Sequence, residues 1–184
     1  MLSSPLPGGK PRHGSRDVSM LNLLKESAAR KQAVTRLYEA LVRRSREPVF
    51  FTNFGVADSV DGRFDLLVFH AWLALKELGG RQPAQGLTNA IFTGFDEAMR
   101  EQGAGDIGIG HRLKDMAKAF YGRMAAYDSA QDADALAAAL ARNLWRGAGH
   151  EAYASALAAY ATTARKHLSA SLPEALDFGP LPTI

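Results

Sequence analysis

Four ionisable residues fall within eight positions in the stretch Asp58-Ser59-Val60-Asp61-Gly62-Arg63-Phe64-Asp65, and carboxylates at that density could bind a cation or share a proton. Asp58, Asp61 and Asp65 do not follow the spacing of a calcium loop, so a metal site is not implied. Aspartates placed just before an apolar helical run cap its free amides and complement its dipole. His70 follows inside the run Leu66 to Leu75, where a lone imidazole could serve as acid, base or ligand. The other histidines, His13, His111, His150 and His167, form no paired-ligand spacing with it. A structural histidine, bonded to a carboxylate or a backbone carbonyl, is the favoured reading because buried polar groups need partners. The catalytic alternative pairs His70 with Asp61, Asp96 or Glu101 in a cleft.

Gly103-Ala104-Gly105-Asp106-Ile107-Gly108 fits GxGxxG, whose amides can cradle a pyrophosphate. A helix precedes it where that fingerprint needs a strand, and Asp106 would oppose a phosphate. A tight turn between helices with Asp106 as N-cap is expected. Asp96 and Arg100 stand i, i+4 with Asn89 on the same flank. Arg112, Tyr121 and Arg123 add guanidinium and phenol groups of the kind that interfaces favour. Together Asp58, Asp61, Arg63, His70, Asp96, Arg100, Glu101, Asp106, Arg112, Tyr121 and Arg123 are expected to form a structural or partner-docking network. Arg36, Arg43, Arg44 and Arg46 form a candidate basic surface, part of a stripe from Lys25 to Arg46 with seven Lys/Arg against Glu26 and Glu39. That stripe could meet RNA or anionic lipid, although a solvated face is the simpler account.

The elements that must position these groups are helices. Val34, Leu37, Tyr38, Leu41 and Val42 repeat at helical spacing, and Glu47-Pro48 predicts the stop. Phe50 to Ser59 reads as an ordered loop. From about Asp61 to Leu78 the chain is greasy on nearly every side, with Phe64, Leu66, Leu67, Val68, Phe69, Trp72, Leu73 and Leu75, and Gly79-Gly80 supplies the cap. This helix is expected at the centre of the bundle. Further helices are predicted over Pro83 to Gln102 (Leu87, Ile91, Phe95, Met99), through Leu113, Met116, Phe120 and Tyr127, through Leu136, Leu140 and Leu144, and through Tyr153, Leu157, Tyr160, Ala164 and Leu168. No segment alternates as a strand does. The expected fold is all-α, a single-domain bundle of about six helices, with residues 1–17 a disordered basic arm, 18–172 the helical domain and 173–184 an extended tail.

Composition agrees with one domain: 184 residues, 47% of them hydrophobic. The net charge of +3 resides in residues 1 to 16, where Lys10, Arg12 and Arg16 have no acidic counterpart, which leaves the rest neutral. Zero cysteines exclude disulfides and thiolate chemistry. The longest apolar run is too short to cross a bilayer, which needs about 20 residues. No cofactor is implied.

Leu37-Tyr38, Ser45-Arg46-Glu47-Pro48, Asp61-Gly62-Arg63-Phe64-Asp65 and His70 resemble the ubiquinol-cytochrome c chaperone family. Phe92, Phe95-Asp96, Arg100-Glu101, Gly105-Asp106, Met116 to Arg123 and Tyr127 continue the resemblance in order, over about Val34 to Trp145. It implies an assembly chaperone for the cytochrome bc1 complex with no catalytic role. Its client would be newly made cytochrome b, and it could also touch a small partner subunit, the ribosome or the inner-membrane surface, with no DNA involved. The expected location is cytoplasmic or peripheral at the inner membrane, on the matrix side in a eukaryote. Residues 1 to 16 do not look like a mitochondrial presequence, so a bacterial member is expected; the alanine-rich C-terminal third carries no matching motif. A small helical enzyme built on a His70-carboxylate pair and an RNA-binding or ribosome-binding module remain the alternatives.

Overall fold

The computed structural model describes residues 14–101, 106–147 and 149–184, with side chains from residue 22 onward except 102–109 and 148. The arm over residues 1–13, the glycine turn at 103–105 and the Asp106 side chain lie outside the described residues. The described residues form seven helices: α1 (Gly14–Ser45), α2 (Pro48–Thr52), α3 (Val60–Leu78), α4 (Gln82–Glu101), α5 (Asp106–Asp128), α6 (Ala133–Leu144) and α7 (Glu151–Ser171). Among the described residues there is no strand, and no helix is long and apolar enough to cross a membrane.

α3 is the axis. It packs against α1, α4, α5, α6 and α7, and its buried set runs right round the helix, including Leu66, Val68, Phe69, Ala71, Trp72, Leu73 and Leu78. A helix apolar on every side has no face to give to water, and surrounding it is the arrangement that buries it. Its start is fixed by Ser59, whose hydroxyl accepts from the Gly62 amide at 3.1 Å. Gly62 must be glycine here, because a Cβ would sit 1.9 Å from the Ala57 carbonyl oxygen. The other end closes on Gly79 at φ 59°.

α1 leans on α4, with Val34 against Gly86 and Tyr38 against Gly94, and buries Leu37 and Leu41. Its first described side chains, residues 22–32, are exposed, with Leu23 and Leu24 among them. The helix thus extends beyond the bundle and begins at Gly14, earlier than the expected arm boundary. Apolar spacing marks where a helix is buried, and a protruding stretch gives no such signal. The loop expected over Phe50–Ser59 is corrected at its start. Pro48 sits in the first turn of α2, where its fixed φ and missing N–H suit a helix N-terminus, and Phe50 and Phe54 turn fully into the core.

α6 and α7 form the tightest pair. Ala137, Ala139, Ala154, Ala158, Ala161 and Ala164 are all buried, so the alanine-rich sequence reflects close helix approach. The chain after α7 is extended but not free: Leu172, Leu176 and Phe178 are buried against the bundle.

Candidate functional site

Two polar groups are buried on α3, and each is held by an arginine from elsewhere in the chain. His70 is fully buried, ringed by Phe50, Phe69, Tyr160 and Phe178 with centroids 5.0 to 5.9 Å away. Its Nδ1 lies 2.8 Å from the Leu66 carbonyl oxygen and its Nε2 3.2 Å from the Tyr160 hydroxyl. A carbonyl only accepts, so Nδ1 carries the proton and Nε2 accepts from Tyr160. The Tyr160 oxygen in turn accepts from Arg44 Nε at 2.9 Å. Every polar atom in this chain is therefore matched, donor to acceptor. Burial drives the imidazole pKa down to about 3, with the Leu66 bond opposing and the Arg44 charge assisting, and burial pushes the Tyr160 phenol up to about 12.

Arg44 also ties down the C-terminal tail. Its Nη2 donates to the carbonyls of Gly179 at 2.9 Å and Pro180 at 2.7 Å, and its guanidinium lies over the rings of Tyr160 and Phe178, 5.3 and 5.8 Å from their centroids. Arg44 is thus an internal fastener, a correction to its place on the expected basic surface. Arg36, Arg43 and Arg46 do face solvent. Charge alone cannot separate the two cases, because the acceptors for Arg44 arrive from more than a hundred residues away.

Asp65 is the second buried group, 1% exposed. Arg123 Nε stands 2.7 Å from its Oδ1 and Arg146 Nη1 2.9 Å from its Oδ2. These are ion-pair separations, yet neither oxygen receives an aligned hydrogen bond. Burial raises the Asp65 pKa, with Arg123 and then Arg146 pulling it back. The cost of desolvation thus outweighs the attraction of two imperfectly aligned cations. Its charge and, above all, burial raise the pKa of neighbouring Tyr127.

The two arginines differ in setting. Arg123 is 17% exposed and lies over the Phe64 ring. Arg146 is 54% exposed and stands at φ 60°, the one non-glycine residue at positive φ among the described residues. Such a backbone costs on the order of 1 to 3 kcal/mol. Next to it, Trp145 donates from Nε1 to the Phe54 carbonyl at 2.9 Å and stacks on His150 at 5.5 Å and 16°. Between this connection and the start of α3 lies a cavity of about 300 Å³ lined by Ser59, Asp61, Asp65, Trp145, Arg146 and His150.

Among the described residues, members of the expected network meet in separate pairs. Asp58 pairs with Arg63 at 2.7 Å and Asp96 with Arg100 at 2.9 Å, both near the surface. Glu101, Arg112 and Tyr121 are exposed, and Tyr121 rests on Phe92. Asp61 faces the cavity while its neighbour Asp65 takes the buried pair. His70 bonds to Leu66 and Tyr160, not to Asp61, Asp96 or Glu101, so the carboxylate-imidazole pair is absent. Asp65, Arg146 and Tyr160 were outside the expected set. A carboxylate inside a greasy run was a usable signal for Asp65; nothing in the sequence marks Arg146 as left-handed.

The model of the ubiquinol-cytochrome c chaperone family matches residues 52–180. The chain belongs to the ubiquinol-cytochrome c chaperone family. Among solved structures it is similar to the Cbp3 homolog from Brucella abortus, at 35% sequence identity and TM-score 0.71, over 82% of this chain and 88% of that one. A search of curated proteins finds no match. Within the family-matched span lie α3, both buried polar clusters except Arg44, and the whole of α6 and α7. The alanine-rich C-terminal third, as far as residue 180, therefore falls within the family match, although it shows no motif to the eye. Leu37-Tyr38 and Ser45 to Pro48, which carried part of the resemblance, fall before the matched span.

Proposed function

We propose that this chaperone binds newly made cytochrome b in a bacterium and assists assembly of the ubiquinol-cytochrome c reductase (bc1) complex, acting by binding and without catalysis. The family match over residues 52–180 carries the reading, and the similarity to a bacterial Cbp3 homolog supports the bacterial setting. Two open grooves suit a binding protein: one of about 870 Å³ between α1 and α4, with Val34, Tyr38, Pro83 and Ala90 in its wall, and one of about 610 Å³ beside Phe92 and Tyr121. A membrane-protein client presents apolar segments that need cover before insertion. The buried imidazole, neutral and without a carboxylate, offers no general base near neutral pH.

Arg36 and Arg43 on α1, with Arg46 just after its end, are exposed and fit a peripheral position at the anionic face of the inner membrane, where the client inserts. A small partner subunit or the ribosome would be further contacts of the same outer surface. Deleting the gene tests the reading. Cells lacking it are expected to lose haem-loaded cytochrome b and assembled bc1 complex, with recovery on re-expression; normal bc1 levels in the deletion strain would overturn it.

A further inference from the structure

We infer that the cavity between the start of α3 and the α6–α7 connection is a binding site for a cationic side chain, an arginine or lysine of the client, which takes the place Arg146 holds on Asp65. Three independent features of the cavity point to such a ligand. Asp65 is 1% exposed and lines it, and its two oxygens, ion-paired at 2.7 and 2.9 Å, meet the guanidiniums off the best hydrogen-bonding directions, so a better-placed donor can compete with the outer one. Asp61 lines the same cavity, is exposed, and makes no ion pair among the described residues. The rings of Trp145 and His150, stacked on each other at 5.5 Å, line another side; carboxylates beside aromatic rings make a receptor for a guanidinium or ammonium group.

Arg146 is built to give way. It approaches from solvent, 54% exposed, at a backbone angle of φ 60° that a side chain disfavours. An incoming cation needs that side chain to swing outward, releasing both Asp65 Oδ2 and the Asn143 carbonyl, to which Arg146 Nη1 also donates. Arg123, at 17% exposed, stays behind on the other oxygen, so the buried carboxylate is never left without a counter-charge during the exchange.

The source of the cation rests on the client reading: loops of a membrane protein on the side of synthesis carry an excess of Lys and Arg. The site itself does not depend on that reading. The chain contains 2 tryptophans, and both indole N–H groups have defined partners: Trp145 bonds to the Phe54 carbonyl at the cavity edge, and Trp72 to Asp128 elsewhere. Titrating the isolated full chain with N-acetyl-arginine amide, followed by the two indole resonances, reads the cavity with an internal reference.

A saturable shift of the Trp145 resonance is expected, with Trp72 unmoved and with no response to the neutral isostere N-acetyl-citrulline amide. Arg146→Ala, which removes the competitor, is expected to bind the probe at least about fivefold more tightly, and Asp61→Asn at least about fivefold more weakly. Absence of a saturable Trp145 shift in Arg146→Ala, equal affinity across the three proteins, or an equal response to the citrulline probe would each overturn the site. Because the probe is an amino-acid amide, this outcome is separate from the deletion phenotype. A functioning site with normal bc1 assembly would sink the client reading alone.

Discussion

His70 and Asp65 sit five residues apart on α3, both buried, both held by arginines from elsewhere in the chain, yet they solve the problem of a buried polar group in opposite ways. Around His70, Arg44 donates to Tyr160, Tyr160 to the imidazole, and the imidazole to Leu66. The one charge, on Arg44, stays at the half-buried outer end of the chain, and the ring is kept neutral. Around Asp65 two cations face one carboxylate at short range but off the hydrogen-bonding directions, and one of them hangs from a strained backbone. A matched neutral chain fastens elements permanently. A charge held by one deep and one shallow partner keeps the fold together while leaving one partner exchangeable.

The largest expected effect comes from breaking the charged cluster. Asp65→Ala leaves Arg123, only 17% exposed, beside an apolar gap without its partner, and should cost on the order of 3 kcal/mol in urea unfolding. Replacing both ends, Asp65→Leu with Arg123→Met, should recover most of that loss, because the raised Asp65 pKa says that burying this charge is unfavourable in itself. If the double variant were as unstable as the single one, the cluster would be a net source of stability and the contrast with His70 would fall.

The two groups also respond to pH with opposite sign. The folded-state pKa of His70, about 3, lies below its ordinary 6.5. Between those values the unfolded chain binds a proton that the folded chain refuses, so the stability from His70 is complete above about pH 6.5 and is lost on acidification. The slope approaches about 1.4 kcal/mol per pH unit. The folded-state pKa of Asp65 is raised above 3.8, so the folded chain keeps that proton longer; its contribution is present below pH 3.8 and is lost as pH rises through the folded value. Unfolding free energies measured from pH 6.5 down to 4.5 should fall steeply for the native chain and much less for His70→Gln. Equal slopes would show that the imidazole is not held neutral.

How much of this could be read beforehand follows from the range of each interaction. α3 was legible because its apolar character is local, from Phe64 to Leu75, and Gly79 closes it. α2 was not, since five residues show no period, and Pro48 served equally well as the end of one helix and the start of the next. The carbonyl partner of His70 is one turn away and was foreseeable, whereas Tyr160 arrives from 90 residues further on. The same distance problem hid Arg44 behind its neighbours: in sequence it is one of three arginines within four positions, and only the tail carbonyls distinguish it. The expected docking network grouped charges by type and order, but pairing is decided by what each helix face meets: Asp61 and Asp65, one turn apart on the same side of α3, end respectively exposed and buried.

The smallest effect bears most directly on whether Arg146 is under strain. Arg146→Ala removes the outer ion pair and leaves a Cβ at φ 60°; Arg146→Gly removes the same pair and relieves the backbone, at the cost of a more flexible unfolded chain. With the guanidinium 54% exposed, the pair itself is worth well under its buried value after solvent screening. Glycine is therefore expected to be the more stable replacement by about 1 kcal/mol, and alanine only slightly worse than native. A glycine variant less stable than the alanine variant would mean that the left-handed backbone at Arg146 is comfortable. The shallow arm of the Asp65 cluster would then be as settled as the chain around His70, and its readiness to yield to another cation would rest on exposure alone.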